Sequence, residues 1–308
     1  MIKRIIAIAA TLALLLWFAA SDQGRAFVDV LDRLDVRTLL IVVSGFAVSY
    51  LLRALRVWDE FRHDAPGRFG ACLRIVLMHN AMVNIVPFRG GEAAFPILLG
   101  RLFGTPLGRA VASLFWFRLQ DAFVVLALAM VVWPGLPTGL RALGVICLIL
   151  TAVALPRWAR RTHDWESRSG LYARLGKVRK AFAESTEHAR FGWLWTVSNW
   201  SVKLIAQAWL LASVLPAAFP VGAAGALGAE LAAILPIQGV AGFGTYEAGA
   251  AAAMATHGVT LEAGLQAALA LHLFVIACAC TAGFFAWLAG QFGDNNATAS
   301  KPSGQSPK

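Results

Sequence analysis

Apolar residues in this chain fall into runs long enough to cross a membrane, and two of those runs break in the middle on one pattern. A hydrocarbon core of roughly 30 Å asks for about 20 apolar residues at ~1.5 Å each. The runs 5–20, 38–57, 107–132, 140–155, 191–215 and 261–292 read as six full spans. The stretches 73–103 and 224–256 read differently: each is a pair of short apolar helices parted by a Pro/Gly cluster. Halves of about a dozen residues reach ~18 Å, which is half a bilayer. Both breaks end on a glutamate. The first is Pro87-Phe88-Arg89-Gly90-Gly91-Glu92, and the second runs from Pro236 through Gly239, Gly242 and Gly244 to Glu247. Placing Gly104 on Gly258 sets Arg118 on His272 with a one-residue gap. Repeated broken helices point to a midplane binding site of the transporter kind. The fold class expected is therefore an all-α polytopic membrane protein, with six full spans and two oppositely oriented re-entrant helical hairpins forming an inverted repeat. Phe27, Val30, Leu31 and Leu34 recur at helical spacing between 22 and 37, which predicts a short interfacial helix there.

Composition agrees: 58% hydrophobic and 14% charged residues cannot clothe a soluble domain of 308 residues. The net charge of +10 would suit nucleic acid, but its placement excludes that partner. Nine basic residues lie between Arg157 and Arg190, and Arg53, Arg56, Arg62, Arg68 and Arg74 form a second cluster. Basic stretches beside apolar spans mark the cytoplasmic face, with some added attraction to anionic head groups. Both termini are then cytoplasmic. Hairpin 73–103 enters from the cytoplasm and hairpin 224–256 from outside. Trp17, Trp58, Trp133, Trp158, Trp193, Trp195 and Trp287 fall near span ends, as an interfacial belt requires. Lys3-Arg4 and the sixteen apolar residues after it read as an uncleaved first span, rather than a signal peptide ending near Ala19-Ala20-Ser21. The membrane-embedded domain is 1–292, and 293–308 is a polar, disordered tail. Cys72, Cys147, Cys278 and Cys280 lack metal-ligand spacing and read as free thiols.

A charge at the centre of a membrane helix costs about 2.5–3.5 kcal/mol on insertion scales, so those present should pair or face a cavity. Arg118 and His272 each lie eleven residues into their spans, and Lys203 is at similar depth. Asp121 shares a helical face with Arg118 and can pair with it. Arg89, Glu92 and Glu247 occupy the two tips, Gly244 leads into the second, and Glu230 lies on a hairpin leg. Asn80 and Asn84, at i and i+4, line one side of the first hairpin. Backbone freed at the tips survives at depth only inside protein or beside a water-filled cavity. The restarting helices direct positive ends inward, which favours an anion such as phosphate, and Arg89, Arg118 and Lys203 would add charge-assisted hydrogen bonds. The candidate substrate-binding set is thus Asn84, Arg89, Glu92, Arg118, Asp121, Lys203, Gly244, Glu247 and His272. Plainer roles compete: Glu92 and Glu247 as caps of their own helices, and Arg118–Asp121 as a structural ion pair. Arg101 and Arg109 read as interfacial anchors, and His63, His163 and His188 as solvated. His79 either lines the first hairpin or is a core histidine. Metal-site, serine-nucleophile and nucleotide-loop motifs do not occur. No catalytic residue, metal or cofactor is expected.

Pro87-Phe88-Arg89-Gly90-Gly91-Glu92, Gly104, Phe117-Arg118-Leu119-Gln120-Asp121 and Pro236…Gly242-Phe243-Gly244-Thr245-Tyr246-Glu247 resemble the flippase-like family, the transmembrane region of lysylphosphatidylglycerol synthase. The resemblance covers the chain to about residue 290. It implies a bacterial inner-membrane protein that moves lipids or lipid-linked groups between leaflets, in some members beside hopanoid genes. It also implies roles for Arg89, Glu92, Arg118, Asp121, Gly244 and Glu247. Phe95-Pro96 and Phe117 depart from its pattern, where a basic and an acidic residue are common. The soluble aminoacyl-transferase domain of full-length synthases is not found, which argues against lysyl transfer. The expected partners are membrane lipids and, in one reading, lipid-synthesis enzymes that this chain would organise without catalysis. Another reading is an intramembrane enzyme using Glu92 or Glu247 as base. Lipid identity, direction, coupling ion and oligomeric state have no signature in the sequence.

Overall fold

The structure, a computed structural model, describes residues 34–64, 67–86, 90–133, 135–161, 170–234 and 240–299. The predicted first span 5–20 and nearly all of the 22–37 stretch lie outside the described residues. Among those described there are ten α-helices and no strand. They are α1 (Val36–Phe61), α2 (Phe69–Ile85), α3 (Ala94–Phe103), α4 (Leu107–Val132), α5 (Thr138–Arg160), α6 (Leu171–Ser185), α7 (Gly192–Val214), α8 (Phe219–Ile234), α9 (Thr245–Ala255) and α10 (Leu261–Ala299). Asp35 starts α1 as its N-cap, accepting a hydrogen bond from the Thr38 amide that holds its carboxyl below the usual range.

Four helices are long and apolar enough to cross a bilayer: α1, α4, α5 and α10 over Leu261–Gln291. Helix α7 has the length, at 23 residues, but buries Asn199 and Gln207 among its apolar positions and so falls outside that group. Helix α5 is the most peripheral of the four, with Leu143, Ile146, Ile149 and Leu150 exposed, as suits a lipid-facing surface. The stretch 157–190, read from sequence as a basic loop, contains a helix: α6 packs on α4 and α5, with Phe182 edge-on to Trp116 at 5.5 Å. Helix α10 runs to Ala299, past the point where the polar tail was placed, and residues 300–308 lie outside the described ones.

Both broken stretches appear as helix–break–helix. Helices α2 and α3 flank a 3-10 turn at Gly90–Ala93, and α8 and α9 flank one at Val240–Gly242. Helix α2 starts at Phe69 and α8 at Phe219, a few residues earlier than hydropathy suggests. The first turn folds back so closely that a Cβ on Gly91 would stand 2.2 Å from the Met82 carbonyl oxygen. The legs of the second touch through glycine, a Cβ on Gly228 falling 2.3 Å from the Gly249 carbonyl oxygen. Larger residues there would drive the helices apart.

Four helices of each half make matching contacts, while α5 and α6 have no counterpart among the described residues. Helix α2 packs on α10 as α8 packs on α4, and α1 packs on α2 as α7 packs on α8. Helices α1 and α7 lie against each other antiparallel: Gly45 meets Ala206, Ser49 Oγ donates to Asn199 Oδ1 at 2.6 Å, and the Phe191 amide donates to Asp59 Oδ2 at 2.7 Å. Ser49 and Asn199 are 150 residues apart. The same offset carries Arg53 onto Lys203 and Asn80 onto Glu230. The Ser49–Asn199 bond therefore sits where each half maps onto the other. The largest buried apolar cluster forms around it, from Val42 and Phe46 on α1, Leu204 and Leu211 on α7, and residues of α8 to α10.

Candidate functional site

Between the halves lies a cavity of about 250 Å³. Its walls carry matched ion pairs. Glu92, in the turn before α3, accepts a hydrogen bond from Arg118 Nη2 at 2.7 Å through Oε1, and its Oε2 lies 3.1 Å from His79 Nε2. In the other half Glu247 Oε1 lies 2.6 Å from His272 Nδ1. The sequence alignment of Arg118 with His272 thus holds in space, each being the partner of its own half's glutamate. The second set of pairs also matches: Arg53 Nη1 donates to Asn80 Oδ1 at 2.7 Å, and Lys203 Nζ lies 2.7 Å from Glu230 Oε1. Gln207 Nε2 donates to the same Glu230 oxygen at 2.7 Å.

Asn84, Glu92, Arg118, Asp121, Lys203 and His272 of the predicted set line the cavity. Glu247 and Gly244 stand behind it. The Glu247 carboxylate is occupied by His272 and by the Gly244 amide, which donates to Oε2 at 2.7 Å. That pair caps α9 and fixes His272, so the helix-cap reading of Glu247 holds. Tyr246 stacks on the His272 ring at 4.4 Å and lines the cavity beside Gly242 and Thr245. Glu92 is no cap of its own helix: α3 begins at Ala94, and both carboxylate oxygens face Arg118 and His79. Arg89 lies outside the described residues.

Asp121 pairs with Arg118 as the sequence suggests, at 3.7 Å, but has two closer partners, Arg56 Nη1 at 2.7 Å and the Trp200 indole N–H at 2.9 Å. Arg56 also donates from Nη2 to the Phe117 carbonyl and to Gln120 Oε1. Arg53 and Arg56 therefore do not belong to a cytoplasmic basic cluster; they sit on α1 and point inside, Arg56 being 3% exposed. Their spacing with Glu60, at i, i+3 and i+7 within a span, was the signal for a polar face. His79 is a buried partner of Glu92. Phe95 and Phe117 meet edge-on at 6.0 Å.

The cavity thus presents Arg53, Arg118 and Lys203 against Glu92, Asp121 and Glu230. Arg118 keeps 36% of its side chain accessible, and Lys203 17%. A fork or ammonium held by a carboxylate on one side and open on the other can receive an oxyanion at little cost in reorganisation. Among the described residues no three His, Cys, Asp or Glu side chains group as metal ligands.

The family model described as lysylphosphatidylglycerol synthase TM region matches residues 4–283. No curated protein and no solved structure matches the chain.

Proposed function

We propose, starting from this chain's membership of the lysylphosphatidylglycerol synthase transmembrane-region family, that it carries a phosphate-bearing lipid head group between the leaflets of a bacterial inner membrane. The observation that carries the reading is the cavity lined by three cations, each shared with an acceptor contributed by the repeat. Its volume suits a head group, while acyl tails would remain in lipid. In this reading α2–α3 and α8–α9 are re-entrant hairpins inserted from opposite faces. The antiparallel α1–α7 pair then relates two inverted halves, with both termini cytoplasmic. Rocking of one half against the other would open the same site first to one side and then to the other. The cavity carboxylates are held by cations, which suits binding and release rather than proton abstraction, so the protein is read as a transporter and not an enzyme.

The test is transfer of a head-group-labelled anionic phospholipid in proteoliposomes, scored by a membrane-impermeant quencher. Purified protein should accelerate loss of the inner-leaflet signal, and a rate equal to protein-free vesicles would refute the proposal. The hairpin topology has its own check. In a cysteine-free background, Gly70→Cys and Gly104→Cys should label from one side of the membrane. Labelling from opposite sides would show that α2 and α3 together cross it.

A further inference from the structure

On one side of the cavity the first half carries a ladder of charge that the second half lacks. Arg53, Arg56 and Glu60 follow one another on a single face of α1. Arg53 reaches the cavity, Arg56 grips Asp121, and Glu60 ends the row with no exposed surface. Glu60 Oε1 accepts a hydrogen bond from Ser113 Oγ at 3.2 Å, and Oε2 is buried with no partner. The repeat offset of 150 sets Ala206 at the place of Arg56 and Leu210 at the place of Glu60. The Arg118–His272 match sets Val275 at the place of Asp121 and Phe274 at that of Gln120. Ala206, Leu210 and Phe274 are buried core residues, and Val275 packs against them. The same packing positions are thus filled by hydrocarbon in one half and by a polar row in the other, so the fold itself does not need the row.

The charges around Glu60 are already spoken for. Arg56 is held by Asp121, Phe117 and Gln120. Arg109, from α4, pairs with Asp64 at 2.9 Å, and Arg62 pairs with Asp59 at 2.7 Å. From α2 the buried cluster around Phe61 receives Cys72. On the α7 side, His188 bonds the Glu184 carbonyl and Arg190 is exposed. None of these cations forms an ion pair with Glu60, although Arg56 Nε and Arg109 Nε are themselves buried without a hydrogen-bond partner. A carboxylate buried without a counter-charge takes up a proton instead.

We propose that Glu60 is a proton-binding site, joined to the cavity by Arg56 and Asp121, whose proton travels in concert with the anionic head group. This rests on the transport reading for its cargo, and on geometry alone for the proton. With Glu60 protonated, Arg56 stays on Asp121, and Arg118 stays turned to Glu92 and the cavity. When the carboxyl loses its proton, the new carboxylate, one turn from Arg56, competes for that guanidinium. Asp121, partly released, then draws Arg118 across the present 3.7 Å and away from Glu92, so that the guanidinium is less free to hold the anion. Proton and anion therefore favour each other's binding, reciprocally, so a proton gradient can drive the anion in the same direction.

Two measurements on the full chain decide this. Infrared difference spectra of wild type against Glu60→Gln, in nanodiscs near neutral pH, should show a protonated-carboxyl carbonyl band present only in wild type. Spectra lacking that difference would overturn the proton site. In proteoliposomes with the labelled anionic phospholipid, an imposed pH gradient should stimulate wild-type transfer. Glu60→Gln and Glu60→Leu should lose the stimulation while keeping the gradient-free rate; Leu is what the other half carries in the same place. Stimulation that survives in both variants would overturn the coupling. If wild type moves no labelled lipid at all, the transport reading fails, the coupling goes with it, and the infrared result still decides whether Glu60 holds a proton.

Discussion

Arg118→Ala is expected to slow leaflet transfer of the labelled phospholipid by roughly 10- to 100-fold while leaving a folded protein. The hydrogen bond from Arg118 Nη2 to Glu92 is short and charge-assisted, and such bonds contribute about 1.5–3 kcal/mol. Each 1.4 kcal/mol is worth about a factor of ten in an equilibrium constant. The variant removes the exposed fork that would grip phosphate and leaves Glu92, an anion, lining the cavity unopposed except by His79. Both side chains keep contact with the cavity, at 36% and 25% exposure, so water can solvate the orphaned carboxylate and the fold should survive. Arg118→Lys retains the charge without the planar fork, and an intermediate rate is expected. The check is the initial transfer rate at matched, monodisperse protein. An Arg118→Ala rate equal to wild type would remove this residue from the mechanism.

Arg56→Ala should fail differently, in stability. Arg56 and Asp121 are a buried pair, with side chains 4% and 9% exposed. Breaking such a pair costs on the order of 3–5 kcal/mol, because the surviving charge is left in a poor solvent. Here Asp121 would keep only the Trp200 indole and the distant Arg118. The Phe117 carbonyl and Gln120 would also lose their donor. Thermal unfolding in detergent should show a large drop in Tm. The double change Arg56→Met with Asp121→Leu should restore much of it, since the other half packs Ala206 and Val275 at the matching places. A single variant as stable as wild type, or a double variant worse than the single, would contradict the assignment.

The broken helices and their glutamates were legible because proline, glycine and buried charge mark the chain locally, whatever packs around them. The match of Arg118 with His272 was legible for the same reason, as both stand at one distance from a shared glycine. The closest partner of Asp121 was not. Sequence offers the neighbour three residues away, whereas the fold supplies an arginine 65 residues distant. Arg53 and Arg56 were misplaced because counting basic residues treats an arginine in the last turns of a span like one in a loop. The equivalence of α1 with α7 was hidden because its members differ chemically: serine answers to asparagine, and asparagine to glutamate. Helix α6 was hidden by its charge, which masks a face anchored by Phe182.

Sequence alone determined that this is an all-helical membrane protein with two interrupted segments and ionisable groups at depth, because hydropathy, proline and glycine act residue by residue. Which charge meets which, that α1 and α7 join the halves antiparallel through Ser49 and Asn199, and that only the first half buries an arginine and two carboxylates at Arg56, Asp121 and Glu60 were decided by tertiary packing. The physical reason is that a buried charge accepts whatever counter-charge the fold brings within about 3 Å, and that distance is set by helices far apart in the chain.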